Sequence, residues 1–494
     1  MKPNILLISA DQMRWDCLGC GGNPVIRTPN LDSLAREGIV FSNAFSPDPI
    51  CVPARASIMT GNYPHICTGQ KTNNGRIRKG QPLLTEVLKQ AGYRCYACGK
   101  LHFLPYSGPD KPRLVHGFEA VDLHESGRIL ALYDPEGKRK GLEDYFDYLA
   151  EVGWAGYSRG HGVGNNDVRP CPSPLPAQHY VDAWIASCTI KRIERHLKES
   201  PEKPFFLWMS SPKPHSPYDP PRPYDSLYDT RTLPPPFGSA QMLKDRNPYL
   251  EVIRYSHALD SLSAQAWQVI RSYYYGCITF LDAMIGQVLA YLKKKRLMEN
   301  TYILFLADHG DLVGDFGTAF KTCHQNGSVR VPFIFSGPGV VKGKESQALV
   351  GLQDILPTLA ALAGAKLRQP VQGINLKPVL QDPAAKVREV FYSSTASGYG
   401  NSVMVTDGVW KYIYTEAWAV QELYYQPEDM AEVNNLSGQP SYRNRVKFWR
   451  EKLKECGRQL ADHDIFSGEK LKRRQVDRAS FSKLPVSGMG WRWY

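Results

Sequence analysis

The chain has 494 residues, 43% of them hydrophobic and 22% charged. That composition excludes an intrinsically disordered protein and leaves room for a large core and more than one domain. The net charge of +12 would suit a polyanion, a membrane surface or small anionic substrates. No RNA- or DNA-binding signature accompanies it, and the basic excess is heaviest from Arg443 to Arg478, which reads as a solvated basic face or tail.

The start, Met1 to Ile8, runs straight into a strand pattern with no leader-like apolar segment, so a cytoplasmic location is expected. No apolar run reaches the length expected of a membrane span. Eleven cysteines, an odd number, do not read as a disulfide framework. Two CxxC pairs, Cys17/Cys20 and Cys95/Cys98, can be written as a four-thiolate zinc site. Each lies in or beside a core element without a zinc-ribbon turn, and structural thiols are the better reading.

In chain order, Ile5 to Ala10 is a short apolar run, the mark of a strand buried on both faces, and it ends in Asp11-Gln12. Asn30 to Gly38 predicts an amphipathic helix closed by its glycine. Ile39 to Phe45 predicts a strand leading to Cys51-Val52-Pro53-Ala54-Arg55, with a helix from Ala54 to Thr60 stopped by Gly61. Cys51 then lies at a helix N-terminus, where free N–H groups and the dipole favour negative charge. Leu83 to Ala91 predicts a helix, and Tyr93 to Cys98 a strand ending in Gly99-Lys100-Leu101-His102. From about Pro105 to Pro176 the pattern breaks down, which reads as substrate-shaping insertions. A helix over Ala177 to Lys198 leads to the strand Phe205 to Ser210, which delivers Lys213 to Pro217 as a stiff loop. A long helix from Ala264 to Lys295 precedes the strand Tyr302 to Ala307, which ends in Asp308-His309-Gly310-Asp311. A strand over Val331 to Phe335 and a helix over Asp354 to Ala363 follow.

After about Leu380 three short β-like runs separated by turns predict an antiparallel sheet, joined by a basic helix from Tyr442 to Leu460. The expected fold class is α/β: a large, mostly parallel sheet sandwiched by helices over residues 1–380, and a smaller α+β subdomain over 381–494. The aromatic end, Trp491 to Tyr494, is expected to dock on the body or on a second copy, making a homo-oligomer plausible.

Four buried strands thus end in polar residues on the edge where doubly wound sheets place their sites. Taken singly, each is as readily a helix cap or a satisfied core group, and Cys51 a buried thiol at a turn. Together, Asp11, Gln12 and Asp308 offer hard oxygens suited to Ca²⁺, Mg²⁺ or Mn²⁺, with His309 adding a nitrogen. Arg55, Lys100 and Lys321 are cations able to stabilise an oxyanion, and His102 and His215 are the natural proton-transfer pair.

In order and spacing this set resembles a type I sulfatase of the alkaline phosphatase superfamily. The likeness is carried by Asn4 to Gln12, Thr28 to Asp32, Cys51 to Ser57 with Thr60-Gly61, Gly99 to His102, His215 to Pro217, Asp308 to Gly310, and Lys321 with Arg330 to Pro332. It implies an alkaline phosphatase-like fold and hydrolysis of a small-molecule or saccharide sulfate ester. It also implies a maturation enzyme that converts Cys51 to formylglycine, whose hydrate attacks sulfur. A divalent ion, Ca²⁺ first and Mn²⁺ or Mg²⁺ as alternatives, would be held by Asp11, Gln12, Asp308, His309 and residue 51. Arg55 would stabilise the hydrate, Lys100 and Lys321 would hold the sulfate, His215 would protonate the leaving alcohol, and His102 would act as base when sulfate is expelled. Nucleic-acid and membrane partners are not implied.

Two departures stand out. Many sulfatases have paired aspartates where this chain has Asp11-Gln12; the Asp-Gln form resembles the branch with choline sulfatases and phosphonate monoester hydrolases. Where many relatives have Tyr-Glu after the lysine, this chain has His324-Gln325, expected to alter the substrate rim. The rival readings are a phosphonate monoester or phosphodiester hydrolase with the same nucleophile, and an inactive binder of sulfated ligands. The retained Lys100 and His102 pair favours sulfatase over the first, and the full set of site residues disfavours the second.

Overall fold

A strand that is apolar on both faces is stable only where helices cover it on both sides. Asn4–Asp11 (β1) is such a strand, and every residue in it is buried. The computed structural model, which describes residues 2–103, 113, 115–125 and 140–479, places β1 near the middle of an eight-stranded sheet. The other strands are Gly38–Phe41 (β2), Arg94–Gly99 (β3), Ala120–Leu123 (β4), Phe205–Pro214 (β5), Thr301–Ala307 (β6), Phe333–Ser336 (β7) and Lys344–Ser346 (β8). Their order is β4-β3-β5-β1-β6-β7-β2-β8. All neighbours pair parallel except around β7, which runs antiparallel to both β6 and β2. The carboxyl ends of β1, β3, β5 and β6 therefore share one edge.

The helices packed around the sheet include Pro29–Arg36 (α1), Cys51–Thr60 (α2), Leu84–Gln90 (α3), Val181–Glu199 (α4), Ala264–Lys294 (α5) and Ile355–Ala363 (α6). One group, α1, α4 and α5, packs together against β5 and β7; the other joins α2, α3 and α6, with α3 against β3. The sequence-based reading of α5 needs correcting. At 31 residues it is long and apolar enough to cross a membrane, although no run was expected to reach that length. Two-thirds of its most apolar window is buried inside the protein, and it also buries Arg271 and Asp282. Asp282 accepts hydrogen bonds from the N–H groups of Asn30 and Leu31, at 3.2 and 2.8 Å, satisfying donors that the start of α1 leaves free.

Three other expectations shift. Gly38 does not close α1, which stops at Arg36; it opens β2, because a Cβ there would lie 2.2 Å from the Phe335 carbonyl oxygen of the neighbouring strand. The stretch expected as one strand from Ile39 to Phe45 breaks after Phe41. β5 does not yield to a loop at Ser210 but runs on to Pro214. Its pairing with β1 shifts register between Ser9 and Asp11, which brings Pro214 opposite Asp11.

The C-terminal sheet is antiparallel, with Phe391–Ser397 (β9), Gly400–Thr406 (β10), Trp410–Thr415 (β11) and Val420–Tyr425 (β12) in sequential order. The last of these had no counterpart in the sequence reading. Alternation explains its two buried faces. Met404, Ile413 and Tyr424 pack with Phe45, Val329 and Leu349 of the main body. Val403, Val405, Tyr412 and Leu423 pack beneath the helix Arg443–Gln459 (α7) through Val446, Trp449 and Leu453. Arg443, Arg445, Lys447 and Arg458 of α7 face solvent, as expected of a basic face. The expected docking of Trp491 to Tyr494 lies outside the described residues, as do 104–112, 114 and 126–139 of the region read as insertions.

A buried ion pair ties the segment after α2 to the segment after α7. Lys71 donates to both oxygens of Asp462, at 2.7 and 2.8 Å, and Tyr392 adds a third bond at 2.7 Å. Burial disfavours the Asp462 carboxylate, yet Lys71 and His65 outweigh it and hold its pKa below the usual range. Asp462→Asn is expected to cost about 3 kcal/mol at pH 7, because it leaves the Lys71 charge buried without its partner. A depressed carboxylate stabilises the fold above the unfolded-state pKa and loses that contribution as pH falls through the folded value. The deficit measured by urea unfolding should therefore shrink below about pH 4.

Candidate active site

The strand ends that share one edge deliver their polar residues to one buried cluster. β1 ends in Asp11 and β6 is followed by Asp308; the Asp308 N–H donates to the Ala10 carbonyl at 3.3 Å, so the two carboxylates emerge side by side. β3 ends at Gly99, where φ is +100° and a Cβ would lie 2.0 Å from the Ser210 carbonyl oxygen. Only glycine fits there, and the tight passage lets the Lys100 N–H bond Ser210 at 2.8 Å. Cys51 is the first residue of α2, which begins three residues earlier than expected and ends at Gly61 in the left-handed conformation. All ten residues of α2 are buried.

Cys51 Sγ lies 3.2 Å from His309 Nε2 and 3.8 Å from Asp11 Oδ1. One ligand atom from each of Asp11, Cys51, Asp308 and His309 falls within 4.8 Å of the others. Among the described residues no other group of three or more His, Cys, Asp and Glu side chains is gathered this way, and the four thiols of the two CxxC pairs are not brought together. Burial pushes the Cys17 thiol up, and pushes that of Cys20 up to about 12, as befits structural thiols.

Three cations are sunk into the same cluster. Arg55, fully buried, donates from Nε to Asp308 at 2.7 Å and from Nη1 to the Lys100 carbonyl at 2.7 Å and Ser210 Oγ at 2.9 Å. Its Nη2 stands 3.8 Å from Asp11. Lys100 Nζ pairs with Asp11, and Lys321 Nζ donates to Gln12 Oε1. Burial alone would raise the pKa of Asp11, but Lys100, His215, Arg55 and Lys321 together hold it well below the carboxylate range. Burial and Asp11 likewise oppose the Cys51 thiolate, and Lys321, Lys100 and His309 outweigh them to lower its pKa. His215, driven by burial and then by Lys321, is held well below the usual imidazole value.

Most residues expected in the site are therefore together. His102 is less directly tied: it is buried after β3 in a left-handed conformation (φ +56°), and its N–H donates at 2.9 Å to Glu125, which also accepts from the Leu101 N–H. Sequence reasoning gave no role to Asp311, which orients the amide of Gln12 by accepting from its Nε2 and also accepts from Tyr218 Oη at 2.5 Å. Its place in Asp-His-Gly-Asp was the available signal. Glu125, Ser210 and Tyr218 carried none. His324 and Gln325, expected at the substrate rim, are buried instead: His324 Nδ1 meets Ser402 Oγ at 3.0 Å and Gln325 donates to Glu422 at 2.8 Å. Both pin the Lys321 loop to the C-terminal sheet.

The donor set suits a hard divalent ion. His309 Nδ1 bonds the Gly310 carbonyl at 2.9 Å, which leaves Nε2 as the free lone pair facing Asp11, Asp308 and Cys51. Gln12 Oε1, steered by Asp311, adds a neutral oxygen. A cleft leads off beside His215, walled by Tyr145, Phe146, Arg159 and Leu175 from the region read as insertions.

The sulfatase family model matches residues 3–365 of the chain. The chain belongs to the sulfatase family. A second model, that of the N-sulphoglucosamine sulphohydrolase C-terminal region, matches residues 314–459 of this sulfatase. It is 31% identical to an arylsulfatase of Clostridium perfringens (strain 13 / Type A) over 469 residues, covering 92% of this chain and 94% of that one. It is 29% identical to a choline-sulfatase of Rhizobium meliloti (strain 1021) over 452 residues, covering 89% and 83%. The fold matches that of a phosphonate monoester hydrolase of Agrobacterium radiobacter, with a TM-score of 0.77 at 23% identity over 96% of this chain and 100% of that one.

A divalent ion that binds only the folded state stabilises it by mass action, by about 3 kcal/mol at a hundred times its Kd. A divalent ion added to chelator-treated sulfatase is expected to raise its melting temperature by several degrees. Asp308→Asn should abolish most of that rise, as read by calorimetry with and without the ion.

Proposed function

We propose that this sulfatase cleaves a sulfate monoester to an alcohol and inorganic sulfate, with residue 51 as nucleophile after a maturation enzyme has converted Cys51 to formylglycine. The observation that carries the reading is the charge balance around Cys51. Arg55, Lys100 and Lys321 offset Asp11, Asp308 and Asp311 in a buried site, so a dication seated among the donors would leave a surplus of positive charge. A sulfate ester answers that surplus, because buried charge is tolerated only when compensated.

We assign the ion as Ca²⁺, held by Asp11, Gln12, Asp308, His309 and the residue 51 side chain. Bound there, it would polarise sulfate oxygens and ease ionisation of the attacking hydroxyl. Arg55 holds the strand-end carboxylates and the start of α2 in one geometry. Lys100 and Lys321, which lie against Asp11 and Gln12, would hold the sulfate oxygens. His215 is neutral at rest; the arriving anion offsets Lys321 and Lys100, lets it take up a proton and hand that proton to the departing alcohol. His102, braced at its backbone by Glu125, is the base for the return step. A geminal diol supplies a route out of the covalent stage that a serine or thiol lacks.

The phosphonate hydrolase reading is the closest rival, and the fold alone accommodates both chemistries. The Lys100 and His102 pair favours a sulfate ester, whose three free oxygens can use the additional cation. Intact peptide mass across residue 51 is expected to be about 18 Da below that of cysteine in protein from a maturation-competent host. Matured protein should turn over an aryl sulfate faster than the matching aryl phosphonate, and Cys51→Ala should lose at least about a thousandfold in kcat. A phosphonate preference would overturn the assignment.

A further inference from the structure

The cleft beside His215 carries a charge that the chemistry above does not use. His215 and Ser216 form its inner wall, and Arg159 lies on the wall contributed by residues 143–175. The other ionic groups along the cleft are already matched. Asp219 is paired with Lys213, lies 3.1 Å from His161 Nε2 and accepts from Tyr180 Oη at 3.1 Å. Lys213 also donates to the Pro217 carbonyl at 2.8 Å. His124 faces Glu143 at 3.0 Å.

Arg159 is different. Its Nη2 reaches only the neutral Asn165 Oδ1, at 3.5 Å, and its Nη1 is buried with no hydrogen-bond partner among the described residues. No carboxylate lies within ion-pair distance of it among them. A buried guanidinium nitrogen left without an acceptor is costly, and its planar fork is built for bidentate binding of an oxyacid group. Tyr145, Phe146 and Tyr180 supply flat apolar walls to the same cleft, suited to one face of a ring.

We propose that Arg159 is a specificity residue, reading a second anionic group, carboxylate or sulfate, carried by the ring of the alcohol that leaves through His215. The proposal rests on the sulfatase reading and on the leaving group departing past His215. It sets the substrate class apart from a cationic alcohol such as choline, whose ammonium Arg159 would repel.

The test uses matured full-length protein and aryl sulfates in matched sets. These are phenyl sulfate, the 3- and 4-carboxyphenyl sulfates, and the 1,3- and 1,4-phenylene bis-sulfates, with choline sulfate as the cationic case. Wild-type kcat/KM should be higher for at least one anion-bearing ring than for phenyl sulfate, by about tenfold or more, and lowest for choline sulfate. Carboxylate and bis-sulfate arms show which oxyacid is read. Arg159→Gln should collapse the anionic-to-neutral ratio by about tenfold or more, chiefly through KM, and Arg159→Lys should restore part of it. Melting temperatures of both variants distinguish a lost contact from a damaged fold. Equal rates on all the aryl sulfates, a preference for choline sulfate, or a ratio unmoved by Arg159→Gln would overturn the proposal while leaving sulfatase action standing. No turnover of any ester would instead remove the reading on which it rests.

Discussion

Two carboxylates at the ends of adjacent parallel strands, Asp11 and Asp308, cannot share a dry pocket unless cations are brought to them. Arg55 meets that requirement from α2, the helix that begins with Cys51. Its guanidinium spans Asp308, the Lys100 carbonyl and Ser210, so it joins β6, the turn after β3, and β5. One side chain thereby fixes where the helix that begins with Cys51 sits relative to three strands. Lys100 and Lys321 add two more cations to the same cluster, at Asp11 and Gln12.

Tertiary constraints reach further than the strand edge. Lys321 sits on a loop whose next residues, His324, Gln325 and Asn326, are bound into the C-terminal sheet at Ser402, Glu422 and Gln426. Lys411, itself paired with Glu432, also donates to Asn326 at 2.9 Å. A chain segment distant in sequence thus sets the position of a cation beside Cys51. The C-terminal sheet acts on the chemistry through the loop it anchors.

The parallel strands were legible because β1, β5 and β6 are buried on both faces and so carry uninterrupted apolar runs, and their polar termini announced the site. α5 was legible as a helix, but its apolar length was not recognised, since Arg271 and Asp282 interrupt a run that is otherwise membrane-like. β12 escaped notice because Gln421 and Glu422 break its alternation, and Glu422 is buried only because Gln325 and Tyr424 bond it. His324 and Gln325 were misplaced for the same reason: polar residues close to Lys321 look like substrate contacts until the sheet that satisfies them is seen. Asp311, Glu125 and Tyr218 orient other groups through hydrogen bonds between segments distant in sequence, and such bonds leave no periodic trace.

The burial of Cys51, 1% exposed at the floor of a helix with no exposed residue, bears on timing during synthesis. A macromolecular catalyst needs several residues of extended chain on either side of its target, and the finished molecule offers none around position 51. Any enzyme that rewrites this thiol has to reach it while the nascent chain is still open. The residues that brace Lys321, Ser402, Glu422 and Gln426, are translated more than three hundred positions after Cys51, so that bracing is complete only late in elongation.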